Sequence, residues 1–198
     1  MNLITNLGDL VVLLPASVGL VIFLARFGAR QDALAFVAAA AVCVAGAFIA
    51  KLALAACGQG HAIFDVESPS GHAALAATFY GCLAALFGAG RAIAARLALY
   101  GAATALILMI AMSRVALEAH TVPEVVAGLF IGAASVALFQ AVRVKPERLE
   151  FTAEAMMRMS PFAVIFALCW LLLAGRWTAE PYIDALAAQF RVGLHLCK

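Results

Sequence analysis

The sequence predicts an all-α fold: a polytopic membrane bundle of six transmembrane helices plus short interfacial helices, in a single membrane-embedded domain over residues 1–198. Two observations carry this expectation. Hydrophobic residues make up 66% of the chain and charged residues 12%, against about 25% charged in an ordinary soluble domain. A sphere of 198 residues has too little interior to hide that much apolar surface from water. The apolar residues also fall in long continuous runs, and in lipid a run must satisfy its own backbone groups, which a helix does and an isolated strand does not. The same numbers exclude a disordered chain, a collagen-like repeat and a coiled coil.

The runs, in order, are Leu10–Ala25, Ala33–Ala50, Ala73–Gly90, Ile93–Met112, Val125–Val142 and Met159–Gly175, each near the roughly 20 residues a span needs. The first follows a nearly uncharged start with no basic region and no small-residue cleavage site, so it reads as a span and not a signal peptide. The second is closed by Lys51, the third opens after a Pro-Ser-Gly turn, and the fourth has Arg91 just before it and Arg96 in its first turn. The fifth opens just after Pro123, and Trp170 and Trp177 mark the end of the sixth as an interface. Ala and Gly are frequent throughout, which lets helix backbones approach closely. Pro146–Met159 and a stretch over about 181–196, with Ile183, Leu186, Ala187, Phe190 and Leu194 at helical spacing, read as interfacial helices.

Charge places the loops. Arg26, Arg30, Arg91, Arg96, Arg143, Lys145, Arg148 and Arg158 share one side, which the positive-inside rule makes cytoplasmic. Asp9, Lys51, Asp65, Glu67, Arg114, Glu118, Glu124, Arg176 and Glu180 fall on the other. The expected location is therefore an integral protein of a bacterial inner membrane, with its polar cluster facing outward. A net charge of +2, without basic patches interleaved with aromatics, gives no reason to expect a nucleic-acid partner. The five cysteines show no zinc spacing, and Cys43, Cys82 and Cys169 lie in apolar runs as small hydrophobes.

Polar residues are scarce, so their clustering on the outward side is informative. Ser70 in Ser68-Pro69-Ser70-Gly71-His72 suits a helix N-cap, and Gly71 permits a ligand to approach the backbone. Amides at a helix start favour an anion, to which His72 can donate a proton. Further on, His120 and Glu124 are four apart, so on a helix the carboxylate orients the imidazole, although Pro123 suits a first turn and puts His120 at or before the start of the span. Arg114 adds a planar cation suited to phosphate oxygens, and Lys51 another. Two histidines, a carboxylate, two cations and a helix start suit phosphoryl transfer, one imidazole attacking phosphorus and the other protonating the leaving oxygen.

With these residues in hand, the chain resembles the type 2 phosphatidic acid phosphatases, which share a core with vanadium haloperoxidases and glucose-6-phosphatase. The family pattern runs Lys-x6-Arg-Pro, Pro-Ser-Gly-His, Ser-Arg-x5-His-x3-Asp. Here Pro69–His72 is intact, and Ser113, Arg114 and His120 match, with Glu124 in place of Asp. Lys51 fits the first block, whereas Gly58 and Gln59 stand where Arg and Pro belong. The resemblance spans about residues 51–131. It implies His120 as nucleophile through a phosphohistidine, Glu124 as its orienting carboxylate, His72 as general acid, and Lys51, Ser70, Gly71 and Arg114 as the phosphate cradle, with no metal or other cofactor. The expected activity is that of a membrane phosphatase whose substrate is a lipid phosphate or polyprenyl diphosphate and whose other partners are membrane lipids. A lipid phosphotransferase using the same site, and a non-catalytic lipid-binding or transport protein, are the alternatives, the latter supported by the missing arginine. His61 is the nearest candidate to replace that arginine; otherwise His61, His195, Glu118, Asp65 and Glu67 read as solvated polar residues.

Overall fold

The computed structural model describes residues 2–57 and 68–143. Among them the chain forms α1 (Asn2–Asn6), α2 (Leu10–Arg26), α3 (Arg30–Cys57), α4 (Gly71–Gly88), α5 (Ile93–Ala116) and α6 (Val122–Val142), with no strand. The expected span at Met159–Gly175, both expected interfacial stretches, and His61 with Gly58 and Gln59 lie outside the described residues. Helices α3 to α6 are each long and apolar enough to cross a membrane, which marks an integral membrane protein. Helix α2 is shorter at 17 residues, about 26 Å at 1.5 Å per residue. Helix α3 runs to 28 residues, past the expected end near Ala50, so Lys51 sits within its last two turns and not at its tip.

Local chemistry sets the boundaries. Asp9 caps α2, its carboxylate accepting from the Val11 amide at 3.1 Å. Gly28 (φ 84°) and Gly90 (φ 65°) turn the chain after α2 and α4 in the left-handed conformation that stops a helix. Pro123 lies in the first turn of α6, where its missing N–H costs nothing.

These tight links make successive helices run back and forth, so α4 and α6 run in the same direction side by side. Small residues bring them together at several levels. A Cβ built on Gly128 would overlap the Ser70 carbonyl oxygen, one on Gly132 would come 2.5 Å from Ala77 Cβ, and one on Gly81 2.7 Å from the Val136 side chain. Helix α3 runs antiparallel to α6, with Gly46 against Ile131 midway and Asp32 reaching Arg143 at the far end. The core between α2, α3, α4 and α6 is built from Leu20, Phe23, Leu24, Phe36, Leu86, Phe139 and many alanines. Large apolar side chains such as Leu34, Ile49, Ile93, Leu97, Met112 and Phe130 are exposed on the perimeter, as a bundle solvated by lipid requires.

One charge departs from its expected role. Arg143 reads in the sequence as a cytoplasmic loop cation, yet its side chain is buried against Asp32 in a two-pronged pair, Nε to Oδ1 at 2.7 Å and Nη2 to Oδ2 at 3.2 Å. Its Nη1 donates to the Ala85 carbonyl at 3.1 Å, and the guanidinium lies 5.1 Å from the Phe139 ring centroid. The pair therefore ties the ends of α3, α4 and α6 together.

Candidate active site

Among the described residues, the opposite end of the bundle collects most of the other buried polar side chains: Thr5, Ser70, Ser113, Arg114 and Glu124. Three chain segments meet there: the start of α4, the turn from α5 to α6, and the approach to α2.

The α5–α6 turn is built on Arg114. After α5 the chain passes through Glu118 in the left-handed region (φ 56°), unusual for a residue with a side chain. The amides of Ala119 and His120 then both donate to the Arg114 carbonyl, at 3.1 and 3.4 Å, while Glu118 N–H donates to Val115 O at 2.9 Å. This is the closing pattern that satisfies orphan carbonyls at a helix end. It fixes His120 relative to Arg114 through backbone alone.

His120 sits one residue before the Thr121 N-cap of α6, outside the helix. The expected helical face is therefore not what joins it to Glu124. Glu124, in the first turn, reaches back: its Oε2 takes the Thr121 amide at 3.1 Å and lies 2.9 Å from His120 Nδ1. Its Oε1 accepts from the Ser68 amide at 2.9 Å, and its carbonyl accepts from the Ser70 amide at 3.0 Å. One glutamate thus caps its own helix, orients His120 and clamps the Pro69–His72 loop. A Glu three residues after a Thr N-cap is a signature visible in the sequence as Thr121-x-x-Glu124. That reading would have located the capping arm, but not the grip on Ser68.

Ser70 is the N-cap of α4, as expected, and is fully buried, its Oγ accepting from the Ala73 amide at 3.5 Å. The amides of Gly71 and His72 precede the first hydrogen bond of that helix, Ala74 N–H to Ser70 O at 3.1 Å. A Cβ built on Gly71 meets open space, whereas Gly128 and Gly132 are packed. Gly71 is therefore not demanded by packing, and the surface over the α4 start is accessible to a ligand. Lys51 lies at the same end of the bundle, given the antiparallel run of α3 along α6.

Sequence reasoning placed Asp9 on this side without bringing it to the site. The structure does so: Asp9 Oδ2 is 3.6 Å from His72 Nε2, both side chains being mostly buried. Burial pushes the Asp9 carboxyl up, but the His72 ring, the Val11 amide and the positive charge of Arg114 outweigh it and hold the carboxyl below its ordinary value. Thr5 Oγ1 donates to Ser113 Oγ at 2.7 Å, and Ser113 Oγ donates to Ile110 O at 2.6 Å, tying α1 to α5. Among the described residues no group of three or more His, Cys, Asp or Glu side chains is placed to hold a metal ion. The cations and helix-start amides suit an anion.

The chain is 36% identical over 144 residues to the "Uncharacterized 22.5 kDa protein in cps region" of Klebsiella pneumoniae, an alignment covering 70% of this chain and 66% of that protein. No solved structure gives a significant match. The family model of the PAP2 superfamily matches residues 53–148, a stretch containing Ser70, Gly71, His72, Arg114, His120 and Glu124. The chain, through that stretch, belongs to the PAP2 superfamily.

Proposed function

We propose that the protein is a metal-independent membrane phosphatase that hydrolyses a lipid phosphate or polyprenyl diphosphate at the outer face of an inner membrane, by way of a phosphohistidine. The observation that supports this most is the buried His120–Glu124 pair at 2.9 Å, joined through the Ser68 amide to the segment that leads into α4 and His72. With Nδ1–H held by a carboxylate, Nε2 is the nitrogen left as nucleophile. It attacks phosphorus; the N–P bond forms as the bond from phosphorus to the leaving oxygen breaks, and His72 gives that oxygen a proton. Water then attacks the phosphohistidine, His72 takes a proton from it, and inorganic phosphate departs with His120 restored. Arg114, Lys51 and the Gly71 and His72 amides stabilise the charge on the equatorial oxygens, while Ser70 holds those amides in place. A site at the mouth of a lipid-facing bundle lets an acyl or prenyl tail remain in the membrane.

The test is phosphate release by the detergent-solubilised full chain from phosphatidate and from a polyprenyl diphosphate, with His120→Ala as control. Release that disappears in His120→Ala supports the reading. A phosphorylated acceptor without free phosphate would indicate the phosphotransferase. Tight lipid binding without turnover would indicate the binding protein.

A further inference from the structure

The approach to α2 is held onto the site at several points. Tyr80 Oη donates to the Leu7 carbonyl at 3.0 Å, Thr5 is bonded to Ser113, and Gly8 sits so tightly that a Cβ there would come 2.6 Å from the Ile110 side chain and 3.4 Å from the His72 carbonyl oxygen. The residue delivered by this anchoring is Asp9, which divides its carboxylate: Oδ1 caps α2 through Val11 N–H, and Oδ2 lies 3.6 Å from His72 Nε2. Asp9 is outside the residues matched by the family and outside all three motif blocks.

We infer that Asp9 is the positioning residue for His72 in the acid step, holding the Nε2–H edge of the ring so that Nδ1–H is the proton delivered to the leaving oxygen. The inference rests on the role of His72 in the function proposed above. The imidazolium gives its Nδ1 proton to the departing oxygen and is left as the neutral Nε2–H form, which Asp9 still holds. In the second half-reaction Nδ1 takes a proton from the attacking water, and the imidazolium re-forms beside the carboxylate. The arrangement parallels the other pair: Glu124 orients the nucleophile through Nδ1, and Asp9 orients the acid through Nε2. At 3.6 Å the Asp9 contact is slightly longer than a hydrogen bond, and catalytic contacts commonly tighten only with substrate in place.

Leaving-group dependence separates this role from a structural one. Asp9→Asn keeps an oxygen to cap α2, since Asn and Asp cap equally well, but removes the charge; Asp9→Glu restores it. The full-length protein in detergent would be assayed on 4-nitrophenyl phosphate, whose leaving group departs without protonation, and on an alkyl lipid phosphate, whose alkoxide must be protonated. The expected result is a loss of about 10- to 100-fold in the single-turnover rate of leaving-group departure from the alkyl substrate, less than about threefold from the aryl one, an unfolding temperature lowered only slightly by loss of the Asp9 charge, and partial recovery in Asp9→Glu. Equal losses on both substrates, or no loss on either, overturn the inference while leaving the phosphatase reading intact. Absence of phosphate release by the parent, or undiminished release by His120→Ala, overturns that reading and this inference with it.

Discussion

Replacing Glu124 by Gln tests the arrangement at its most constrained point. The carboxylate accepts from Ser68 N–H on one oxygen and serves Thr121 N–H and His120 Nδ1 with the other. An amide has one oxygen, so it has two ways to sit. With its oxygen toward Thr121 and His120, its NH2 opposes the Ser68 N–H, and the ring keeps its tautomer but loses the negative charge that stabilises a developing imidazolium. Charge-assisted hydrogen bonds are roughly twice as strong as neutral ones, so this orientation costs about 10- to 100-fold in kcat. With its oxygen toward Ser68, the NH2 opposes Thr121 N–H and donates to Nδ1, which moves the ring proton to Nε2, the atom proposed to attack. A wrong-tautomer substitution of this kind costs about 10⁴ in kcat in the serine-protease triad. Either way one buried donor is left unsatisfied, worth about 1–3 kcal/mol of stability. Glu124→Asp keeps the charge but shortens the reach, so it should retain His120 at the expense of Ser68 and fall between Gln and the parent. Phosphate release and thermal unfolding of the three proteins in one detergent check this. A Gln variant within about threefold of the parent would refute the account of Glu124 as the carboxylate that orients His120.

Gly128→Ala should separate α6 from the Ser70 carbonyl and cost about 1–3 kcal/mol by overpacking, lowering both the unfolding temperature and turnover; Gly71→Ala, facing open space, should leave stability within about 0.5 kcal/mol and lower only activity. Asp32→Ala leaves the Arg143 guanidinium buried without its carboxylate and should destabilise by about 3–5 kcal/mol, whereas Asp32→Leu with Arg143→Met should recover most of that, as read by unfolding temperature in detergent. Because Asp9 has a lowered carboxyl pKa in the fold, it contributes stability above the ordinary carboxylate value of about 3.9, and that contribution is lost as pH falls through the lowered value. The stability gap between the parent and Asp9→Asn should therefore be constant above that pH and shrink below it; a gap that widens on acidification would contradict the sign.

What the sequence alone determined was everything that depends on composition or on near neighbours. Apolar runs of span length specify helices because lipid admits no other backbone solution for them, and five of the six expected spans correspond to α2 through α6. Ser70 as N-cap and the pairing of His120 with Glu124 were legible because a cap and a four-residue separation bring groups together whatever the rest of the chain does. Even there the reason differed: His120 precedes the helix, and Glu124 reaches back to it as a capping residue. What only the tertiary structure decided are contacts between residues far apart in the chain. Asp9 meets His72, Asp32 meets Arg143 and Ser68 meets Glu124 because Gly128, Gly132 and Gly81 let α4 and α6 lie in close parallel contact while α2 and α3 pack alongside. No periodicity in an almost uniformly apolar chain encodes that register. It is set by where small residues permit backbones to touch, and so a loop cation in the sequence becomes a buried ion pair, and a cap at the start of α2 becomes a neighbour of the candidate acid.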